Sequence, residues 1–255
     1  MYTGIFDTHA HYDDARFDDI RDGLLAGLAE KGVSLVLNCA SGLKSAETTL
    51  ALAKRYSHVY AAVGVHPEEC GELPADWLDR LRDLARSEKV VAIGEIGLDY
   101  HYMPPEREQQ LDCVEKQLML ASELSLPVII HDREAHEDCF RLVKKYRPRG
   151  VFHCYSGSAE QARQLSELGI YIGFGGAVTF KNARRSLESA AAIPLSSLLL
   201  ETDCPYMAPE PFRGRLCTSD MIAYTAERIA ELRGIPAQQL IDTAAQNGRR
   251  LFKID

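Results

Sequence analysis

Six segments of the chain end an apolar run with a side chain that commonly binds metal ions. The segments are Ile5–His11, Val63–Pro67, Ala92–Glu95, Val128–His131, Val151–His153 and Leu199–Asp203. An apolar run of this length predicts a buried strand, and one polar residue at its end carries little meaning. The sixfold repetition predicts that strand ends converge on one site. Such convergence is typical of a parallel barrel, whose active site lies at the C-terminal ends of its strands.

His9 and His11 lie two positions apart in the first of these segments. Residues two apart in a strand point to the same side, with Cα atoms roughly 6.5 Å apart, so two imidazoles can bind one cation. The alternative is a pair of polar residues that only hydrogen-bond to the backbone. The surrounding residues Asp7, Tyr12 and Asp13, on the first strand of a barrel-like pattern, favour metal ligands.

Acidic and histidine side chains at the other strand ends predict a second cation and a base. Glu95 lies between glycines and could bridge two metals. The alternative, a salt bridge inside the barrel, is weaker because buried acids are rare unless they are paired or metal-bound. His131 and His153 complete a second metal site together with Glu95. Asp203 is the best candidate for a metal-linked general base that takes a proton from the attacking water.

Four histidines and two carboxylates suit two divalent cations about 3.5–4 Å apart. Imidazole favours zinc, manganese or iron, whereas magnesium prefers oxygen ligands, so the residue types leave Mg, Mn and Zn open. Such a pair of cations polarises a phosphoryl or acyl oxygen and, for zinc, lowers the pKa of bound water toward ~7. The predicted chemistry is hydrolysis.

Five residues after the strands are candidates for substrate contacts. His66 follows the third strand, where it could touch a substrate phosphate, donate a proton to the leaving group or bind metal, with comparable support for each role. Arg133 and Arg213 lie in loops expected at the mouth of the barrel, where they could hold phosphates. Tyr100 and Tyr155 could stack on bases.

Eight apolar runs alternate with amphipathic stretches, which indicates a parallel sheet with crossover helices. The predicted strands lie near residues 4–8, 33–38, 59–65, 90–94, 127–131, 150–153, 170–173 and 198–201. One further helix is predicted from Pro236 to Phe252. The 255 residues show no linker or low-complexity tract. We therefore predict an α/β fold, a (β/α)8 TIM barrel with an additional C-terminal helix, formed as a single domain over residues 1–255.

The composition limits the possible partners and location. The net charge is −8, so the chain is not coated for non-specific nucleic-acid binding, and a polyanionic substrate must be attracted locally by cations and a few basic residues. No apolar stretch approaches the ~20 residues that span a bilayer, and a secretory leader is not expected. The seven cysteines contain no Cys-x-x-Cys pair. They predict reduced thiols in a cytoplasmic protein. An obligate protein partner is not expected.

Taken in order along the chain, these motifs resemble the TatD family of metal-dependent deoxyribonucleases, within the amidohydrolase-like barrels. The motifs are Phe6–His11, Gly64–Pro67, Gly94–Tyr100, Ile130-His131, Phe152–Ser158 and Glu201–Tyr206. The resemblance covers essentially the whole chain. It implies a divalent-metal centre made by His9, His11, Glu95, His131, His153 and Asp203. It also implies hydrolysis of DNA phosphodiesters, in some members as a 3′→5′ exonuclease on single strands.

The chain departs from its relatives at two places. The family usually carries an Asn-x-Pro segment after Arg213-Gly214, where this chain has Cys217-Thr218-Ser219, which puts substrate preference in doubt. Glu95 stands where many amidohydrolase relatives have a carbamylated lysine, which argues against a phosphotriesterase or urease type of centre. Two other functions compete with the nuclease: an ester or amide hydrolase such as an aminoacyl-tRNA deacylase, and a non-catalytic metal-binding or partner-binding barrel.

Overall fold

The structure, a computed structural model, describes residues 1–255 around eight parallel strands. The strands neighbour one another in chain order around the sheet. They are β1 (Ile5–Ala10), β2 (Val33–Cys39), β3 (Val59–Val63), β4 (Val90–Asp99), β5 (Val128–Arg133), β6 (Gly150–Phe152), β7 (Tyr171–Phe174) and β8 (Leu198–Leu200). With helices outside it, this nearly closed sheet is the predicted (β/α)8 TIM barrel.

Nine α-helices cover the barrel. They are α1 (Arg21–Gly27), α2 (Leu43–Arg55), α3 (Trp77–Ala85), α4 (Arg107–Leu124), α5 (His136–Tyr146), α6 (Ala159–Glu167), α7 (Arg184–Ala192), α8 (Ile222–Arg233) and α9 (Ala237–Phe252). Helix α9 is the predicted additional C-terminal helix. None of these helices combines the length and the apolar character needed to cross a membrane.

The sequences of the strands are continuous apolar runs because both faces of each strand are buried. An inner cluster fills the barrel and includes Phe6, Leu37 and Ile129, each from a different strand. The alternate strand residues join the larger cluster that packs against the helices. Phe252 at the end of α9 belongs to the inner cluster and packs edge-on against Phe6, with ring centroids 6.2 Å apart. The last helix therefore closes the barrel at the end where β1 begins.

Strands β1, β4 and β5 run at least two residues further than the sequence predicted, and β3 is two residues shorter. Strand β4 continues to Asp99 and β5 to Arg133, because the backbones of residues 96–99 and 130–133 pair with one another. Strand β3 ends at Val63. The register of β4 against β5 shifts between Ile93 and Ile96, so Glu95 lies at an irregularity within β4 and not at its end. Such an irregularity re-aims a side chain, here into the mouth of the barrel.

The seam between β1 and β8 is closed beyond the last ladder. Backbone hydrogen bonds run from Asp203 N to His9 O (2.9 Å) and from His11 N to Cys204 O (2.7 Å). A single parallel bridge joins Ala10 and Cys204. These bonds place the residues after β8 directly beside the His9-x-His11 pair.

Candidate metal centre

The six candidate ligands reach one point from five strands. His9 lies in β1 and His11 follows it; His131 lies in β5, and His153 directly follows β6. Asp203 follows β8 in a left-handed backbone conformation, with φ of 62°. This conformation is uncommon for residues other than glycine, although Asp adopts it more readily than most. The structure thus brings together all six residues that the sequence singled out.

The two carboxylate oxygens of Glu95 face two separate groups of ligands. Oε2 lies 3.3 Å from His9 Nε2 and 3.5 Å from His11 Nε2. Asp203 Oδ1 completes this first group at 3.3 Å from His11 Nε2 and 3.7 Å from His9 Nε2. Oε1 lies 2.8 Å from His131 Nδ1 and 2.7 Å from His153 Nε2, which form the second group. The arrangement has the form of a bridging carboxylate between two sites.

The outer hydrogen bonds of the histidines leave the inner nitrogens free to bind a cation. His11 Nδ1 lies 2.7 Å from the carbonyl oxygen of Cys39, so this nitrogen carries a proton and Nε2 is the atom that faces the centre. In His131, Nε2 donates to Asp99 Oδ2 at 2.9 Å, which holds the ring so that Nδ1 is the atom that faces Glu95. His9 Nε2 and His11 Nε2 face each other at 3.0 Å. The donor set therefore fits divalent cations.

Burial and opposite charges shift the pKa values of these groups. Burial, followed by the charge of His153, lowers the pKa of His9 to about 4. Burial acts in the same direction on His11, but the hydrogen bond that His11 donates to Asp203 and the charges of Glu95 and Asp203 raise its pKa to about 10, so a cation that binds here displaces the second proton of the ring. Burial alone would raise the pKa of Glu95, yet the nearby histidines hold it well below its usual value. The carboxylates of the centre are therefore ionised at neutral pH, as cation binding requires.

His66 contacts the centre at its edge. Its Nε2 lies 3.5 Å from Glu95 Oε1, and its Nδ1 accepts a hydrogen bond from the backbone N–H of Glu68 at 3.3 Å. Burial lowers the pKa of His66 to about 3. The ring is therefore neutral at physiological pH, with its proton on the nitrogen that faces the cleft. His66 also forms a possible ligand group with Glu95 and His131, so metal ligation and a hydrogen bond to substrate both stay predictions.

An open cleft of about 620 Å³ leads to the ligands. Its wall contains His11, His66, Glu95, His131, His153 and Asp203. A smaller cavity of about 330 Å³ adjoins the cleft, and Arg133 lines both. These volumes are typical of small-ligand or terminal-group sites. Of the predicted substrate-binding residues, His66 and Arg133 lie in the cleft.

Tyr100, Tyr155 and Arg213 are placed less favourably for the roles predicted from sequence. Tyr155 borders the smaller cavity, but it is only 4% exposed and its hydroxyl donates to Ser158 O at 2.9 Å, so most of its ring packs in the core and its stacking role stays a prediction. The hydroxyl of Tyr100 donates to Asp138 Oδ2 at 2.6 Å, and the ring lines neither cavity. Arg213 stacks on Phe180, 4.4 Å from the ring centroid, also outside both cavities.

Several supporting residues were not assigned a role from the sequence. Asp99 orients His131, and Glu201 accepts the backbone N–H of Cys154 next to His153. Asp7 lies fully buried under the seam, where its oxygens accept hydrogen bonds from Thr202, Ser219 and the backbone of His9. The sequence signal that could have identified these supporting residues is an acidic residue inside or just after an apolar run. The residue Ser219, from the segment that departs from the family pattern, thus supports the strand that carries His9.

Comparison with known proteins identifies the family. The family described as TatD related DNase matches residues 6–253. The uncharacterized metal-dependent hydrolase YabD of Bacillus subtilis is 37% identical over 98% of this chain and 100% of its own length. A protein named 3′-5′ ssDNA/RNA exonuclease TatD, from Cronobacter sakazakii, is 35% identical over 97% of both chains.

A solved structure agrees with this assignment. The crystal structure of YjjV, a TatD homologue from Escherichia coli, superposes with a TM-score of 0.93 at 35% identity and covers 100% of both chains. The barrel, the clustered histidines and carboxylates, and these full-length similarities all lead to the same conclusion. The chain is a member of the TatD related DNase family and a metal-dependent hydrolase.

Proposed function

We propose that this protein cleaves phosphodiester bonds of DNA with two divalent cations, as a 3′→5′ exonuclease on single strands. The observation that carries the proposal is the placement of Glu95, whose oxygens face two groups of nitrogen and oxygen donors. One carboxylate that serves both groups is the arrangement expected of a two-metal hydrolytic centre. The name of the Cronobacter relative supports nucleic acid as the substrate and 3′→5′ polarity.

The proposal gives each candidate residue a role. His9, His11 and Asp203 would hold one cation, His131 and His153 the other, and Glu95 both. When bound, such cations supply Lewis-acid polarisation of a phosphoryl oxygen and a lowered pKa for water. Magnesium, manganese and zinc all fit the donor types, so the metal is left to experiment.

Asp203 and His66 are the proposed proton-handling and substrate-orienting groups. Asp203 borders both cavities and its side chain is 17% exposed, so its carboxylate can accept the proton of the attacking water. His66, neutral and protonated on Nε2, would donate a hydrogen bond to a phosphate oxygen. Arg133 would pair with a second phosphate oxygen, because its side chain lines both cavities.

Bound cations would also explain how an acidic cleft can accept a negatively charged substrate. The cleft is lined by acids that include Asp13, Asp14, Glu68 and Glu69 in addition to the candidate ligands. A phosphate entering such a cleft is repelled unless cations neutralise it. Cleavage should therefore depend strictly on added metal.

A cytoplasmic location stays a prediction that rests on the seven cysteines.

A single-turnover assay on metal-stripped protein tests the proposal. End-labelled single-stranded DNA is incubated with protein after addition of magnesium, manganese or zinc. Glu95→Gln and Asp203→Asn are assayed beside the wild type, with Glu188→Gln as the matched control because Glu188 is an exposed acid on α7. We expect a metal-dependent ladder that shortens from the 3′ end, absent in the first two variants and unchanged in the control.

The opposite results have definite meanings. Cleavage that is equally fast without metal would contradict the two-metal centre. Absence of cleavage with every metal, in protein that still binds two cations, would contradict the nuclease. Turnover of an aminoacyl ester by that same protein would then establish the competing deacylase function.

A further inference from the structure

Two exposed tyrosines flank the mouth of the cleft. Tyr102 lies in the loop after β4 and Tyr206 in the loop after β8, and both line the cleft that contains the candidate ligands. In an eight-stranded barrel ordered by chain position, β4 and β8 lie opposite each other. The side chains are 49% and 46% exposed, respectively. Two rings of this kind therefore stand on opposite sides of the candidate metal centre.

Each ring is covered on one face by an arginine. The guanidinium of Arg133 lies 4.5 Å from the ring centroid of Tyr102, and that of Arg16 lies 3.9 Å from the centroid of Tyr206. The ring of His101 also meets Tyr102 edge to face, with centroids 4.7 Å apart, and that of His11 meets Tyr206 at 6.4 Å, yet about half of each tyrosine stays exposed. One such pair is ordinary surface packing, but the pair repeats on both sides of a single cleft.

Backbone hydrogen bonds fix both tyrosines to residues of the metal centre. The N–H of Tyr102 donates to Asp99 Oδ1 at 2.9 Å, and the other oxygen of Asp99 accepts from His131. The N–H of Tyr206 donates to Asp203 O at 2.9 Å. The Tyr206 hydroxyl also donates to Asp14 Oδ2 at 3.0 Å. The rings are thus held in position relative to the centre before any substrate binds, which reduces the entropy lost on binding.

An aromatic ring backed by a cation is a platform for a nucleobase, and the arginine beside it offers charge to the adjoining phosphate. Bases in a duplex are stacked and paired, so only an unpaired strand presents them to such rings. We propose that Tyr102 and Tyr206 are stacking platforms for unpaired nucleobases on the two sides of the scissile phosphate. The inference rests on the proposed nuclease function and adds to it the two residues that would bind the bases of the single strand.

The test compares strands with and without bases. Oligothymidylate and a strand of equal length made of abasic tetrahydrofuran residues share a phosphate backbone and differ in stacking. Binding to manganese-loaded protein is recorded by stopped-flow anisotropy before turnover, and KM and kcat are measured separately. The variants are Tyr102→Ala, Tyr206→Ala and Tyr102→Phe. Tyr224→Ala is the matched control, since Tyr224 is a 37% exposed tyrosine on α8 that lines neither cavity.

We expect each alanine variant to bind oligothymidylate roughly fivefold or more weakly, which corresponds to the loss of one stacked base. KM should rise with kcat nearly unchanged. Binding of the abasic strand should not change, and Tyr102→Phe and Tyr224→Ala should behave like the wild type. Oligouridylate in a parallel arm distinguishes RNA from DNA as the preferred source of the bases.

Two results would overturn the inference. One is unchanged binding of oligothymidylate by both alanine variants; the other is an equal loss for the base-containing and abasic strands, which would indicate a general disturbance of the cleft. These results are separable from failure of the nuclease proposal. A protein that binds bases through the two tyrosines without cutting keeps this inference, and one that cuts DNA without needing them refutes it.

Discussion

Gly64→Ala probes how closely β3 and β4 approach each other where Glu95 enters the barrel. Gly64 directly follows β3 and has no positive φ, so only space opposes a larger residue. A Cβ atom at this position would lie 2.8 Å from the carbonyl carbon of Gly94, 2.8 Å from Ile96 Cγ2 and 3.0 Å from Glu95 O. Two of these three atoms are backbone and cannot rotate away.

The size of the effect follows from these distances. Carbon atoms pack best at about 3.5–4.0 Å, so the strands must separate by roughly 0.7 Å or more. Overpacking of this kind costs about 1–3 kcal/mol of the free energy of unfolding. At roughly 2–4 °C per kcal/mol for a chain of this size, we expect a measurable fall in the melting temperature. Because Glu95 moves with its carbonyl group, metal-dependent activity should fall by up to about 100-fold.

The assay combines urea denaturation, a thermal melt and single-turnover cleavage. Gly23→Ala is the control, because Gly23 lies in α1 and an added Cβ meets no atom within 4 Å. That substitution should be neutral or stabilising by up to about 1 kcal/mol, since alanine favours a helix over glycine. A Gly64→Ala protein as stable and as active as the control would refute the argument that close packing of β3 on β4 positions Glu95.

Three further predictions concern a buried ion pair, a core tyrosine and the metal centre. Burial alone would raise the pKa of Asp138, but hydrogen bonds from Tyr100 and Arg107 hold it below its usual value. Asp138→Asn should therefore cost about 1–3 kcal/mol at pH 7, and urea melts should show this difference shrinking as the pH falls from ~4, where the carboxylate of the unfolded chain gains its proton, to the lower pKa of the native carboxylate. Tyr155→Phe should lose about 1 kcal/mol of unfolding free energy because the hydrogen bond to Ser158 O is lost, with KM for DNA unchanged because the ring is kept; unchanged stability in urea melts would argue against this hydrogen bond. Chelation of metal should lower the melting temperature of the wild type, and excess manganese should raise it. A Glu95→Gln protein that shows the same shift in melting temperature would argue against Glu95 as a ligand.

The arrangement of strands and candidate ligands was accessible from sequence because each pattern is local. An apolar run followed by His9, His131 or Asp203 marks both a buried strand and its polar end. The barrel then brings these ends together by topology alone. The extent of β4 was not accessible, because residues 96–99 depend on pairing with β5 for their strand geometry.

The substrate contacts were harder to predict because they depend on how loops pack. Tyr100, Tyr102 and Tyr155 are the same residue type at similar distances from motif residues. The first bonds to a carboxylate, the second faces the cleft and the third is buried. Nothing local to the sequence distinguishes these outcomes, which are set by neighbours from other elements such as Asp138 and Arg133.

The spread of the candidate ligands from β1 to the residues after β8 has a consequence for synthesis of the protein. His9 and His11 leave the ribosome early, whereas Asp203 follows only after the last strand. A chain that ends before β8 lacks Asp203 and cannot complete the first group of ligands. A hydrolase whose ligands are spread in this way gains catalytic activity only when the barrel has closed. An incomplete chain therefore cannot degrade nucleic acid in the cell.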